Sequence, residues 1–142
     1  MDFDLSPEQQ QLADAIRRWT DKDYRFDVRK AIMDSPAGVS AQAWQALAEL
    51  GVLALPVPSE HDGFDGTAID QMAVMQALGR ALVIEPVLAT AMATHCLARA
   101  GGHGDLLSQV ATGELSLACA FGERQARHEL FNVTTKALRD DG

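Results

Sequence analysis

The sequence predicts a mainly α-helical chain, with a bundle of about five to six helices followed by the first strands of a β domain. Two observations predict this fold. Up to residue 111, apolar side chains recur at helical spacing, and residues that cap helix N-termini precede them in the sequence. Beyond residue 114, the apolar period changes from about 3.6 residues to about 2, which is typical of a half-buried strand. We therefore expect a helical domain over residues 1–113 and the start of an incomplete β domain over residues 114–142.

The first helix begins at a clear capping motif. Ser6 can act as the N-cap, Pro7 fits the first helical position, and Gln9 lies where a capping box needs an amide. The apolar stripe of this helix follows at helical spacing: Leu12, Ile16 and Trp19. Apolar residues over 28–32 predict a second helix, which ends at the proline- and glycine-containing residues 34–38.

The next two helices are marked by their ends. Ser40 caps a third helix, and Gly51 follows that helix at the position where glycine is favoured. Thr67 and Asp70 form the capping box of a fourth helix, after a polar loop over residues 59–66. Apolar residues lie on almost every face of this fourth helix: Ile69, Met72, Ala73, Met75, Ala77 and Leu78. We therefore expect its neighbours to bury it on all sides.

The last helices and the two candidate strands complete the pattern. Helices are expected from Val87 to Ala100 and over residues 105–111, each followed by glycine. The first candidate strand has alternating large side chains: Leu115, Leu117, Cys119 and Phe121. The second covers residues 131–137 and precedes an Asp-Gly hairpin signal at residues 141–142. Two strands alone make a poor free-standing sheet, so we expect a β domain that is cut short.

The composition excludes several classes of protein. The 142 residues carry 20 acidic and 12 basic side chains, which gives a formal net charge of −8. Hydrophobic residues make up 47% and charged residues 23%, as in folded domains. No apolar run approaches the roughly 18 residues of a membrane span, and no basic stripe suits nucleic acid. The acidic start lacks a targeting pattern, so we expect a cytoplasmic protein.

Cysteine and histidine usage argues against a disulfide framework and against a metal site. Cys96 and Cys119 lie among small apolar residues, so we expect both to be buried in a reducing compartment, with a redox pair as the alternative. His61, Asp62 and Asp65 share one loop, but they offer too few ligands for a metal ion. No metal is therefore expected.

Several short segments follow one another in an order that resembles one enzyme family. They are DFDLSPEQQ at residues 2–10, WQALAELGVL at 44–53, PSEHDGFDG at 58–66, ALGRALVIEP at 77–86, ATGE at 111–114 and TTKA at 134–137. In this order and spacing they resemble the acyl-CoA dehydrogenases, flavoenzymes with a helical N-terminal domain, a middle β domain and a C-terminal helical domain. The resemblance spans essentially the whole chain.

Within that family, residues 123–130 (ERQARHEL) resemble the small subunit of pimeloyl-CoA dehydrogenase and its relatives. Most family members have a threonine followed by Glu-Pro-Gly-x-Gly-Ser-Asp at this point. Here Gly122 replaces the threonine, and residues 127–129 (RHE) replace Gly-Ser-Asp. These departures favour a partner-dependent subunit or an altered substrate.

The resemblance implies FAD-dependent α,β-dehydrogenation of an acyl-CoA thioester, with dicarboxylyl- and medium-chain acyl-CoAs as candidate substrates. In the family, a glutamate of the C-terminal domain removes the α-proton while the β-hydrogen leaves as hydride to the flavin. That base and most flavin contacts lie outside residues 1–142, so no catalytic residue is assigned in this chain. The implied partners are electron-transfer flavoprotein or a similar acceptor, and further subunits of a homo- or hetero-oligomer formed through the C-terminal domain.

Four residues match positions that would meet the cofactor or substrate. The resemblance places Phe121 and Gly122 at the flavin-facing strand end, with contacts largely through backbone atoms. Arg124 and Arg127, in the loop that follows, could reach a CoA or flavin phosphate. The alternatives are a core role for Phe121 and solvated side chains for both arginines.

The resemblance also places the acyl chain along the helix from Val87 to Ala100. That placement asks for apolar side chains such as Leu88, Ala91 and Met92, which core packing explains equally well, so they are not assigned as site residues. Two other functions stay open from the sequence. The parent protein could be a non-catalytic subunit that supports a partner's active site, or a stand-alone helical interaction module.

Overall fold

The computed structural model describes residues 4–138 and confirms a mainly helical fold. This part of the chain contains six α-helices and one short 3-10 turn at Ser59–His61. The helices are α1 (Pro7–Asp23), α2 (Phe26–Met33), α3 (Ala41–Glu49), α4 (Ala68–Arg80), α5 (Val87–Ala100) and α6 (Gly104–Ala111). None of these six is both long and apolar enough to cross a membrane.

Capping boxes start α1 and α4, and one side chain joins them. Ser6 Oγ accepts the N–H of Gln9, and Gln9 Oε1 accepts the N–H of Ser6 at 2.8 Å. Thr67 and Asp70 form the same reciprocal pair at the start of α4. The other end of the Gln9 amide, Nε2, donates to Asp70 Oδ1 at 2.7 Å. Because the two N-termini are hydrogen-bonded together, α1 and α4 begin side by side and pack against each other.

The core consists of two clusters that share the apolar segment after α3. The buried members of the larger cluster are Ala13, Ile16, Leu47, Val52, Leu53, Leu55, Val74, Ala77, Leu78 and Val87. Those of the smaller cluster are Ala54, Val57, Leu107, Val110 and Ala111. Residues 52–57 contribute to both clusters, so this segment is buried although it is not helical.

The loop at residues 58–66 folds back on that buried segment. The N–H of Phe64 donates to Ala54 O at 3.1 Å, and the N–H of Asp65 donates to Val57 O at 3.0 Å. Gly63 approaches so closely that a Cβ atom built on it would lie 2.0 Å from Val57 O. The expected polar loop is therefore held by close backbone contact that glycine permits.

The two strands expected after α6 are not formed. Neither residues 115–121 nor residues 131–137 adopt strand structure in the part of the chain that the structure describes. A strand requires a ladder of hydrogen bonds with a neighbour. The N–H of Leu115 instead donates to Gln109 O, and the backbone bonds of residues 126–132 close local turns. The start of a β domain stays a prediction, and its hairpin signal at residues 141–142 lies outside the described residues.

The expectation that α4 is buried on all sides is wrong. Ala73, Val74, Ala77 and Leu78 are buried, but Ile69 and Met72 are exposed. α4 packs chiefly against α1, which covers only one side of a helix. An all-round apolar pattern therefore did not mean all-round burial here.

Candidate functional site

An exposed apolar groove lies between α5 and the 115–121 segment. We call it the α5 groove. Its cavity has a volume of about 410 Å³ and is lined by Glu85, Pro86, Leu88, Ala89, Met92, Ala118, Cys119 and Phe121. Leu88, Met92 and Phe121 are 60%, 43% and 58% exposed, respectively. Large apolar side chains that line a concave surface of this size are typical of a small-molecule site.

One buried threonine fixes the far wall of the groove to α5. Thr90 Oγ1 donates to Leu117 O at 3.2 Å and accepts the N–H of Leu117 at 3.3 Å. Thr94 Oγ1 in turn donates to Thr90 O at 2.8 Å. Both threonines are buried. A side chain of α5 thus satisfies the backbone of Leu117 in place of a neighbouring strand, and so positions the residues that follow it.

A buried carboxylate closes one end of the groove. Glu85, only 5% exposed, precedes α5 and joins three distant parts of the chain. Its Oε2 accepts the hydroxyl of Tyr24 at 2.6 Å, and its Oε1 accepts the N–H of Ser40 at 3.2 Å. The N–H of Ile84 donates to the Tyr24 oxygen at 3.3 Å. We call Tyr24, Ser40 and Glu85 the carboxylate hub. It fixes the α4–α5 connection against the end of α1 and the start of α3.

The hub makes Tyr24 a weaker acid than a free tyrosine. Burial and the hydrogen bond to Glu85 raise the pKa of Tyr24 from 10.0 to about 12. The folded state therefore holds the phenolic proton more tightly than the unfolded state does. This contribution to stability is complete below pH 10 and is lost as the pH rises from 10 to about 12.

We expect the tyrosinate absorbance of the folded chain to appear about two pH units later than in denaturant. Tyr24 is the sole tyrosine of the sequence, so the signal reports this residue alone. The Tyr24→Phe variant should lose less stability than the wild type between pH 10 and 12. An absorbance midpoint near that of free tyrosine would contradict the buried hydrogen bond between Tyr24 and Glu85.

The structure brings one of the four predicted site residues into the groove. Phe121 lines it, and Gly122 follows with no atom within 4 Å of a Cβ built on its backbone. Arg124 and Arg127 are exposed in the turn over residues 124–128, and neither forms an ion pair within residues 4–138. The backbone of Arg127 has a positive φ of 51°. The contacts of these four residues with cofactor or substrate stay predictions.

A carboxylate clamp closes the loop that carries both arginines. Glu123 accepts hydrogen bonds from the N–H of Thr134 at 2.7 Å, the Thr134 hydroxyl at 2.8 Å, the N–H of Thr135 at 3.1 Å, and the Gln125 amide. These donors, the Thr134 backbone first, lower the pKa of Glu123 to about 2. This clamp could not be predicted from the sequence, because a contact across eleven residues has no short-range signal.

The groove residues of α5 had no site role assigned from the sequence. Of the three apolar residues named there, Ala91 is buried, whereas Leu88 and Met92 face the cavity. Leu88 and Met92 are four residues apart and so share one face of the helix. That spacing was a usable signal, but the opposite face of α5 is apolar too. Within residues 4–138, no group of three or more histidine, cysteine, aspartate or glutamate side chains is placed to hold a metal ion.

The described residues form a helical domain whose α5 groove is an exposed apolar surface beside the 115–121 segment. Comparison with known families identifies it: residues 6–122 match the acyl-CoA dehydrogenase N-terminal domain. The chain therefore belongs to the acyl-CoA dehydrogenase family, as the sequence resemblance predicted.

Two curated relatives support this assignment. The chain is 32% identical over 98 residues to "Acyl-CoA dehydrogenase IpdE2" of Mycolicibacterium smegmatis. This alignment covers 68% of this chain and 32% of the relative. It is 38% identical over 86 residues to the protein of the same name from Mycobacterium tuberculosis. That alignment covers 59% of this chain and 27% of the relative. The matches thus span about a third of each relative's length. No solved structure matches significantly.

Proposed function

We propose that this chain is the N-terminal part of an FAD-dependent acyl-CoA dehydrogenase that carries out α,β-dehydrogenation of an acyl-CoA thioester in the cytoplasm. Residues 1–113 form its helical domain, and residues 114–142 begin its middle β domain. Family membership supports the reaction class. The observation that carries the proposal is the exposed apolar α5 groove, because a concave apolar surface of this size is typical of a ligand-binding site.

The groove suits the hydrocarbon part of the substrate. Leu88 and Met92 offer flexible apolar surface, and Phe121 offers a flat one. Burial of an acyl chain here would release water from all three side chains, which gains about 25 cal/mol for each Å² covered. Glu85 gives the groove a polar end, since its carboxylate is held there by Tyr24 and Ser40.

The residues next to the groove fit one side of a flavin site. Phe121 presents an exposed aromatic face, and the open space at Gly122 lets a planar group approach the backbone. Bound FAD would supply the hydride acceptor of the reaction. Arg124 and Arg127 are proposed to meet a CoA or flavin phosphate. The catalytic base, the contact with electron-transfer flavoprotein and the oligomer interface are assigned to parts of the protein beyond this chain.

The test uses the protein expressed from the complete gene. Purified holoprotein should show flavin absorbance that bleaches anaerobically when a suitable acyl-CoA is added. A panel of medium-chain and dicarboxylyl thioesters identifies the substrate. Flavin that no acyl-CoA reduces, with or without a partner subunit, would contradict the proposal and favour a supporting subunit instead.

The same assay tests the groove itself. Met92→Glu should weaken acyl-CoA binding at least about tenfold, because the bound acyl group would then bury the new glutamate carboxylate without a partner. Met33→Glu is the matched control, since Met33 is an exposed methionine on α2 and lies outside the groove lining. Titration of the flavin spectrum with acyl-CoA measures both affinities. Equal affinities for the two variants would remove the groove from the substrate site.

A further inference from the structure

The two cysteines are exposed and line one cavity, contrary to the burial expected from their neighbours. This second cavity has a volume of about 350 Å³ and lies between α5, α6 and the 115–121 segment. Cys96 lines it from α5, and Cys119 lines it from the segment. The other lining residues are alanines and leucines, so the two thiols are its chemically reactive groups.

The backbone places Cys119 along the side of α5 that carries Cys96. Ala89, Ala93 and Cys96 are spaced by four and three residues, so they share one face of the helix. Cys119 lines both the α5 groove, which includes Ala89, and the second cavity, which includes Ala93 and Cys96. It therefore lies over this face, between the first turn of α5 and Cys96.

The chain around Cys119 is anchored to α5 at one nearby residue, Leu117. The structure anchors it through the hydrogen bonds between Thr90 and Leu117, two residues before Cys119. No strand ladder holds the residues that follow within the described part of the chain. Closure of a Cys96–Cys119 bond therefore requires this segment, and not the helix, to adjust to the geometry of a disulfide.

We propose that Cys96 and Cys119 form a dithiol–disulfide site whose substrate is a low-molecular-weight disulfide such as glutathione disulfide. The thiolate of one cysteine attacks the S–S bond of the small disulfide, forms a mixed disulfide and releases one glutathione thiolate. The thiolate of the other cysteine then attacks the protein sulfur of the mixed disulfide and releases the second glutathione. In total the protein loses two protons and two electrons, and one glutathione disulfide becomes two glutathiones.

The product ties the 115–121 segment to α5. Because Cys119 lies between the two cavities, the bond fixes the wall of the α5 groove that carries Phe121. The cross-link closes a loop of over twenty residues, so we expect the Tm to rise by roughly 5–10 °C on oxidation. The redox state of this pair would thereby control how freely the groove wall moves.

The experiment treats the 142-residue chain with excess glutathione disulfide and determines its mass and peptide map. The expected product is a monomer that has lost two hydrogens, contains a Cys96–Cys119 peptide and carries no glutathione. Glutathione retained on both cysteines, or disulfide-linked dimers, would overturn the proposal. The matched control, His95→Cys combined with Cys96→Ser, moves the thiol to another face of α5 and should retain glutathione. Closure of this variant as readily as the wild type would equally overturn it.

Discussion

Replacement of Glu85 with alanine is expected to lower the free energy of unfolding by about 3 kcal/mol. The substitution removes both acceptors of the carboxylate hub. The Tyr24 hydroxyl and the Ser40 N–H, which donate to Glu85 at 2.6 and 3.2 Å, would lose these partners. Tyr24 is only 2% exposed, so its hydroxyl would lose a buried partner. Urea unfolding followed by circular dichroism measures the change.

Two further variants separate the hydrogen bonds from the packing in this experiment. Glu85→Gln keeps one acceptor and nearly the same volume, so it should recover part of the loss. Tyr24→Phe removes one donor and leaves the Ser40 contact in place, for an expected cost of about 1–2 kcal/mol. If Glu85→Ala costs less than Tyr24→Phe, the hub does not hold these segments together.

Gly63→Ala is expected to cost about 3–4 kcal/mol, among the largest effects of any single methyl group in the chain. Its Cβ would lie 2.0 Å from Val57 O and 2.3 Å from Val57 C. Both are backbone atoms of a residue with no exposed surface, so neither can turn aside as a flexible side chain does. The loop at 58–66 would have to separate from the segment it covers. The Tm and the free energy of unfolding measure this loss.

Gly79→Ala is the control for the same chemical change. No side chain and no backbone atom outside α4 lies within 4 Å of a Cβ built on Gly79, apart from its chain neighbours; Gly79 is in the last turn of α4. Alanine should therefore stabilise the chain by about 0.5 kcal/mol through its higher helix propensity. Equal effects of the two substitutions would show that the loop does not need close backbone contact at Gly63.

The helices could be predicted from the sequence because their signals are local. Ser6 with Gln9, and Thr67 with Asp70, form the expected capping boxes. Gly51 follows α3 with a φ of 78°, as its position indicated. Each of these signals depends on contacts within about four residues, a range over which spacing determines geometry.

The candidate site could be predicted only in part, because its geometry depends on distant contacts. The bond between Thr90 and Leu117 and the clamp at Glu123 each join residues that no short motif relates. The apolar periodicity of α5 likewise did not show which face its neighbours leave open. The alternation after residue 114 correctly marked a change of structure, but strand formation also requires a partner strand.

The carboxylate hub also has a consequence for how fast the chain folds. Its hydrogen bonds connect residues 61 and 45 positions apart, so they are long-range contacts, as is the bond between Gln9 and Asp70. Closure of such loops costs entropy before the buried bonds can form. The hub is therefore expected to assemble after the transition state. Its loss would then accelerate unfolding and leave the refolding rate nearly unchanged.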